Sequence, residues 1–239
     1  MTSSYLPPLE QYQTFLFDCD GVILDSNSIK TDAFARLAAP FGESVQAALI
    51  KYHVNNGGVS RFEKVKYLVC ELLHHEDNSS LIAELVARYG QIVFDGLLSC
   101  GECTGIRRHL DRLRVLPGKI HVVSGGLESE LQQLFLARGL DVFFDTINGS
   151  PRDKFQIIKD LQSRGQINGR AIFFGDSRQD HLASVRAGAD FVFVARYTEM
   201  PNWKAYVEEH GTYVCYDLAE YIKKSLGGSG ACGAFEQRW

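Results

Sequence analysis

Short apolar runs recur along the chain with amphipathic stretches between them. The runs are 14–17 (TFLF), 120–123 (IHVV), 142–144 (VFF), 171–174 (AIFF), 191–194 (FVFV) and 213–215 (YVC). Apolar runs this short, without strict alternation, suit strands buried on both faces, as in a parallel sheet. Between them, 105–114, 127–138, 153–164 and 178–187 carry apolar residues at helical spacing. In the second of these stretches Leu127, Leu131, Leu134 and Phe135 share a face, and Gly139 follows as a stop. Strand–helix alternation of this kind predicts an α/β fold built on a doubly wound, mostly parallel sheet.

The rhythm breaks between 26 and 96. Helix patterns run over 28–41, 45–53, 61–74 and 79–90, with no convincing strand among them. An all-helical segment inserted after the first strand predicts a cap domain at 26–96 above the sheet's carboxyl edge. The α/β core is then assembled from 1–25 and 97–226. The stretch 227–239 opens on GGSGACG, which buries too little to offset its ordering entropy, so a flexible tail is expected there.

Composition narrows the classes of function. With 239 residues, 45% of them hydrophobic, the chain has room for one large domain with a smaller companion. The 25 Lys+Arg against 29 Asp+Glu leave a formal charge of -4, which offers nothing to attract nucleic acid or an anionic membrane. No apolar run approaches the roughly 20 residues of a membrane-spanning helix. The amino-terminal MTSSYLPPLEQYQ lacks the basic flank and apolar core of a secretory signal. The expectation is a cytoplasmic protein, a monomer or small homo-oligomer, whose partner is a small molecule. Six scattered cysteines do not make a disulfide framework. The pair Cys100 and Cys103 has no second pair to complete a zinc site and reads as two reduced thiols near a domain boundary.

Four fragments carry candidate chemistry. In FLFDCDGVILDS (15–26) an apolar strand runs into Asp18 and Asp20. Ligands of an open α/β sheet bind beyond the carboxyl ends of its strands, and two acids so close together call for a positive neighbour. A divalent cation, magnesium by the hardness of oxygen donors, meets that need. The IHVV run ends at Ser124, Gly125 and Gly126, a hydroxyl and open N–H groups suited to phosphoryl oxygens. Lys154 opens a helix, where its charge opposes the helix dipole and so implies a nearby anion. Finally Phe174-Gly175-Asp176-Ser177 brings another strand to an acid, with Asp180 one helical turn on. Each fragment alone reads as an ordinary turn, a solvated lysine or a helix cap, with Asp176 itself a candidate N-cap. All four in order, three of them at strand ends, favour a shared site.

The set resembles the motifs of the haloacid dehalogenase-like superfamily, in particular its members with a helical cap after the first strand. The matching pieces are D-x-D-G-V at 18–22, a strand ending in Ser124, a downstream Lys154, and G-D-S-x-x-D at 175–180. The resemblance covers nearly the whole chain to about residue 226. It implies Asp18 as nucleophile, forming an aspartyl-phosphate, and Asp20 as general acid and base. It implies magnesium held by Asp18, the Asp20 backbone carbonyl and Asp176, with Asp180 in contact with the metal or just behind it. Ser124 and the Gly125 N–H would bind phosphoryl oxygens, and Lys154 would neutralise charge. An acid at position 20 favours an oxygen leaving group, hence a phosphate ester. In the cap, 58–61 (GVSR) resembles the substrate loop of the β-phosphoglucomutase kind. There Arg61 could hold a carboxylate or second phosphate, with Lys64 assisting and Asn55 or Asn56 meeting a hydroxyl. A second possibility is Ser60 as an N-cap with Arg61 solvated. The function expected is magnesium-dependent hydrolysis of a small phosphorylated metabolite, a sugar phosphate or phosphorylated acid. A phosphosugar mutase and a non-catalytic binding protein of the same fold are the alternatives.

Overall fold

A computed structural model describes residues 6–76 and 78–226. Asp77, Cys232 and the tail expected at 227–239 lie outside the described residues. The first strand, β1 (Thr14–Phe17), is followed by four helices with no strand among them: α1 (Asn27–Ala38), α2 (Glu43–Asn55), α3 (Arg61–Tyr67) and α4 (Ser79–Ser99). Strands and helices then alternate: α5 (Ile106–Arg114), β2 (Lys119–Leu127), α6 (Glu128–Ala137), β3 (Thr146–Ser150), α7 (Lys154–Ser163), β4 (Ala171–Gly175), α8 (Arg178–Ala187), β5 (Asp190–Val194), α9 (Trp203–His210), β6 (Tyr213–Cys215) and α10 (Leu218–Leu226).

The six strands form one parallel sheet in the order β3-β2-β1-β4-β5-β6. This is the doubly wound arrangement with an inserted helical cap that the alternation predicts. Every residue of β1 and β4 is buried, because helices cover both sheet faces. On one face Leu16, Val123 and Phe173 pack with Ile157, Ile158 and Ala183 of α7 and α8. On the other, Phe15, Phe17 and Phe174 pack with residues of α5, α6 and α10. Successive strand residues point to opposite faces, so apolar runs rather than alternation are what a two-sided burial requires. Phe17 pairs with both Val122 and Phe174, so β1, β2 and β4 end close together at the same edge.

Three local expectations change. The run 142–144 is not a strand; a 3-10 turn occupies Asp141–Phe143 and the strand is the polar Thr146–Ser150. As an edge strand it draws less on burial and more on side-chain bonds, with Asn148 Nδ2 donating to the Val122 carbonyl at 3.0 Å. Helix α3 gives way after Tyr67 to a π-type turn, Leu68–Leu72. Helix α4 continues through Gly90 and Gly96 to Ser99. Neither glycine breaks it, because each marks a close approach: a Cβ on Gly96 would lie 2.7 Å from Ile29 Cγ2. Residues 95–99 are therefore the last turn of a helix. The chain passes between the helical and sheet layers at 20–25 and 100–103, which lie side by side: the Asp25 N–H donates to the Gly101 carbonyl at 2.9 Å. Among the described residues no helix is long and apolar enough to cross a membrane.

Candidate active site

Asp18 extends β1 by one ladder bond, its N–H donating to the Phe174 carbonyl at 3.0 Å, and is 3% exposed. The chain then turns at Gly21, whose φ of 76° suits glycine. A Cβ there would sit 2.2 Å from Asp176 Oδ2, so the loops after β1 and β4 close on each other only because Gly21 has no side chain. Lys154 is the first residue of α7, behind a capping box made by Asp153 and Gln156. Its ammonium lies 2.8 Å from Asp18 Oδ1 and pairs with Asp180 Oδ1. These are the anions that its position against the helix dipole implied.

The cap of α8 is Ser177, not Asp176. Asp180 Oδ2 accepts from Ser177 Oγ at 2.6 Å, from Ser177 N–H at 3.1 Å and from Asp176 N–H at 3.3 Å. Asp180 thus both caps its helix and fixes Lys154. Asp176, free of capping, accepts from Asn27 Nδ2 at 2.7 Å. Strand β2 runs on through Ser124, Gly125 and Gly126 to Leu127, so the expected turn before a helix is strand instead. Ser124 is fully buried, and its Oγ accepts from the Gly126 N–H at 3.0 Å. Gly125 and Gly126 line the cavity, whereas Ser124 stands behind them.

Asp18, Asp176 and Asp180 offer carboxylate oxygens within 4.8 Å of one another, all buried. Lys154 supplies one positive charge against three. Burial and the Asp180 charge push Asp18 up to about 7, and burial with its acidic neighbours holds Asp176 well above the usual carboxylate range. Asp18 Oδ1 has the ammonium nearby but no aligned hydrogen bond. Crowded hard oxygen donors with an unmatched negative charge fit a divalent cation, and Asp18 and Asp176 are the two carboxylates with capacity left for one. The Asp20 carboxylate points elsewhere, accepting from Ser26 Oγ at 2.6 Å and from Lys30 Nζ. Burial alone would raise Asp20, but Lys30 and Ser26 outweigh it and hold it below the usual range.

The helical layer closes over this edge. Lys30, His53, Gly58, Arg61, Lys64 and Tyr89 line the same cavity as Asp18, Asp20 and Asp176. The Gly57–Gly58 turn lies on the sheet edge so closely that a Cβ on Gly125 would meet the Gly58 carbonyl at 2.5 Å. Ser60 is the N-cap of α3, yet Arg61 is 5% exposed rather than solvated. Its guanidinium forks onto Glu130 of α6 at 2.9 and 2.5 Å and lies 5.0 Å from the centre of the Tyr89 ring. Lys64 is buried against His53. Asn56 is not brought to the cavity: its side chain donates to the Tyr52 carbonyl at 2.8 Å and finishes α2, as Asn55 does with Lys51. Cys100 and Cys103 are free thiols, both raised by burial.

Sequence reasoning passed over Ser26, Asn27, Lys30, His53 and Glu130. Lys30 and Phe34 stand one turn apart on α1 and both face the cavity, a pairing that helical spacing could have flagged. Glu130 gives no such signal, since 69 residues separate it from Arg61.

The sequence profile of the haloacid dehalogenase-like hydrolases matches residues 15–194. The chain belongs to this family. A phosphorylated carbohydrates phosphatase of Thermotoga maritima is 23% identical over 188 residues, 76% of this chain and 84% of that protein. The fold is shared with the β-phosphoglucomutase of Clostridium difficile (TM-score 0.66, 16% identity, 90% of this chain and 97% of the other). It is shared equally with a haloacid dehalogenase-like hydrolase of Streptococcus pneumoniae (TM-score 0.66, 17% identity, 90% and 98%).

Proposed function

We propose that the protein is a magnesium-dependent phosphatase that hydrolyses a small phosphorylated metabolite through an aspartyl-phosphate on Asp18. The observation that carries the reading is the meeting of Asp18, Lys154 and Asp176, distant in sequence, in one buried cluster, with Lys154 Nζ 2.8 Å from Asp18 Oδ1 and the Asp18 and Asp176 oxygens within 4.8 Å. The name of the Thermotoga maritima relative supports a phosphorylated carbohydrate.

In this reading an Asp18 carboxylate oxygen attacks phosphorus, the new O–P bond forms, and the P–O bond to the leaving group breaks. Asp20 gives that oxygen a proton. Water then attacks the phosphorus of the acyl phosphate, passing a proton back to Asp20 and releasing phosphate and free Asp18. The Gly125 N–H holds a phosphoryl oxygen, and the Ser124 hydroxyl behind it, accepting from the Gly126 N–H, fixes that stretch of backbone. Lys154, held by Asp180, offsets the charge shared between phosphate and Asp18. Asp18, the Asp20 carbonyl and Asp176 would hold magnesium, which when bound adds positive charge where phosphate and carboxylate meet. The helical segment, with limits set at 26–96, excludes water when closed. A cytoplasmic setting agrees with the free cysteines.

The test is Asp18→Asn. Phosphate release from p-nitrophenyl phosphate with magnesium should fall at least about a thousandfold, the scale set by loss of a nucleophile. Release at the wild-type rate would refute the assignment.

A further inference from the structure

The roof of the cavity holds a cation with no anion in ion-pair contact among the described residues. Lys64 is 3% exposed, and its Nζ lies 2.8 Å from His53 Nδ1. An ammonium has only hydrogens to donate, so the imidazole accepts through Nδ1 and is neutral. The aromatic face of Phe34 lies against both, 5.7 Å from the ammonium and 4.6 Å from the imidazole. The surrounding acids are committed elsewhere. Asp20 pairs with Lys30, Glu130 with Arg61, and Asp18 and Asp180 with Lys154. A buried ammonium matched only by a neutral ring is costly unless an anion completes the site.

Arg61, by contrast, has both guanidinium nitrogens of its fork on Glu130, so it joins the helical layer to α6 and does not reach for a ligand. Burial and the Lys30 charge draw Lys64 down to about 7, and a bound anion would restore its charge.

We propose that Lys64, oriented by His53, receives a second anionic group of the substrate, making the enzyme selective for phosphate esters that carry another negative charge. The reaction in this proposal rests on the phosphatase reading; the anion site does not. The same ammonium accepts a carboxylate or a second phosphate, so the probes separate them. They are 2-phosphoglycolate, the bisphosphate of ethylene glycol, and 2-hydroxyethyl phosphate as the neutral ester of equal length.

The experiment measures kcat/KM for each ester, and the rise in melting temperature each produces, on the wild type and on Lys64→Met with magnesium present. At least one dianionic ester should exceed the neutral one by about tenfold or more, the scale of one charge-assisted hydrogen bond, and Lys64→Met should remove most of that ratio. Preference for phosphoglycolate identifies a carboxylate, and preference for the bisphosphate a phosphate. Equal turnover of all three overturns the proposal and leaves the phosphatase reading standing. Tighter binding of a dianion that Lys64→Met abolishes, without turnover of any ester, supports the anion site and overturns the phosphatase reading. Neither preference in either assay overturns the proposal. Should Lys64→Met fail to fold, Lys64→Arg must keep the preference, and the wild-type ratio alone still decides.

Discussion

Lys30 Nζ lies 2.5 Å from Asp20 Oδ2, with the lysine on the helical layer and the acid on the sheet layer. The pair holds Asp20 below and Lys30 above their ordinary values. An ionised Asp20 is ready to accept a proton from water, but it must first carry one to the leaving group. Lys30→Met removes the charge that favours the carboxylate, so Asp20 should protonate at higher pH. The alkaline limb of the kcat profile, set by loss of that proton, should then move upward by about a unit. An unmoved limb would detach Lys30 from the acid–base step.

The acid cluster predicts a pH-dependent response to metal. Magnesium must displace protons from carboxylates that burial and mutual repulsion keep high, Asp18 at about 7 and Asp176 well above the usual carboxylate range. The rise in melting temperature on adding magnesium should therefore be larger at pH 8 than at pH 6. At 100-fold excess over Kd the stabilisation is about 2.7 kcal/mol, several degrees for a chain of this size. Asp176→Asn should erase most of it. Equal shifts at both pH values, or a shift that survives in Asp176→Asn, would place the ion elsewhere.

Closure depends on Gly58. Its φ is 78°, and an added Cβ would come within 2.9 Å of Ser177 Oγ, 3.0 Å of Gln179 Cβ and 3.3 Å of Lys154 Nζ. Gly58→Ala would strain the turn by about 1 kcal/mol and prop it off the sheet edge. We expect kcat/KM to fall about tenfold or more with a melting temperature only a few degrees lower. A variant with wild-type kinetics would show that closure of this turn does not matter to turnover.

His109 is fully buried between Phe17, Phe174 and Tyr221, and neither ring nitrogen has a hydrogen-bond partner. Burial, with Arg112 nearby, lowers it to about 3 from 6.5. The folded state therefore binds fewer protons than the unfolded between these values, so this stabilisation is complete above pH 6.5 and drains away as pH falls toward 3. His109→Leu should gain about 1–2 kcal/mol at pH 7 in urea unfolding and lose less stability between pH 6.5 and 4. A destabilised variant would mean that ring packing outweighs the unsatisfied nitrogens.

Much of this molecule was legible along the chain because its signals are local. The buried runs of β1 and β4, the amphipathic spacing of α6 and α8, and the strand-end acids Asp18 and Asp176 each lie within a dozen residues. The edge strand Thr146–Ser150 escaped because burial does not write its pattern there. Helix α4 was read as too short because Gly90 and Gly96 look like breakers until their neighbours are known.

Pairings across the fold were beyond that reading. Nothing in the order of residues says that Arg61 takes Glu130, that Asn56 closes its own helix, or that Lys64 is left beside a histidine. Local propensity and periodicity act over a few neighbours and can be read from them. Which charge meets which depends on distances set by packing the helical layer on the sheet, and burial then makes each of those choices energetically large.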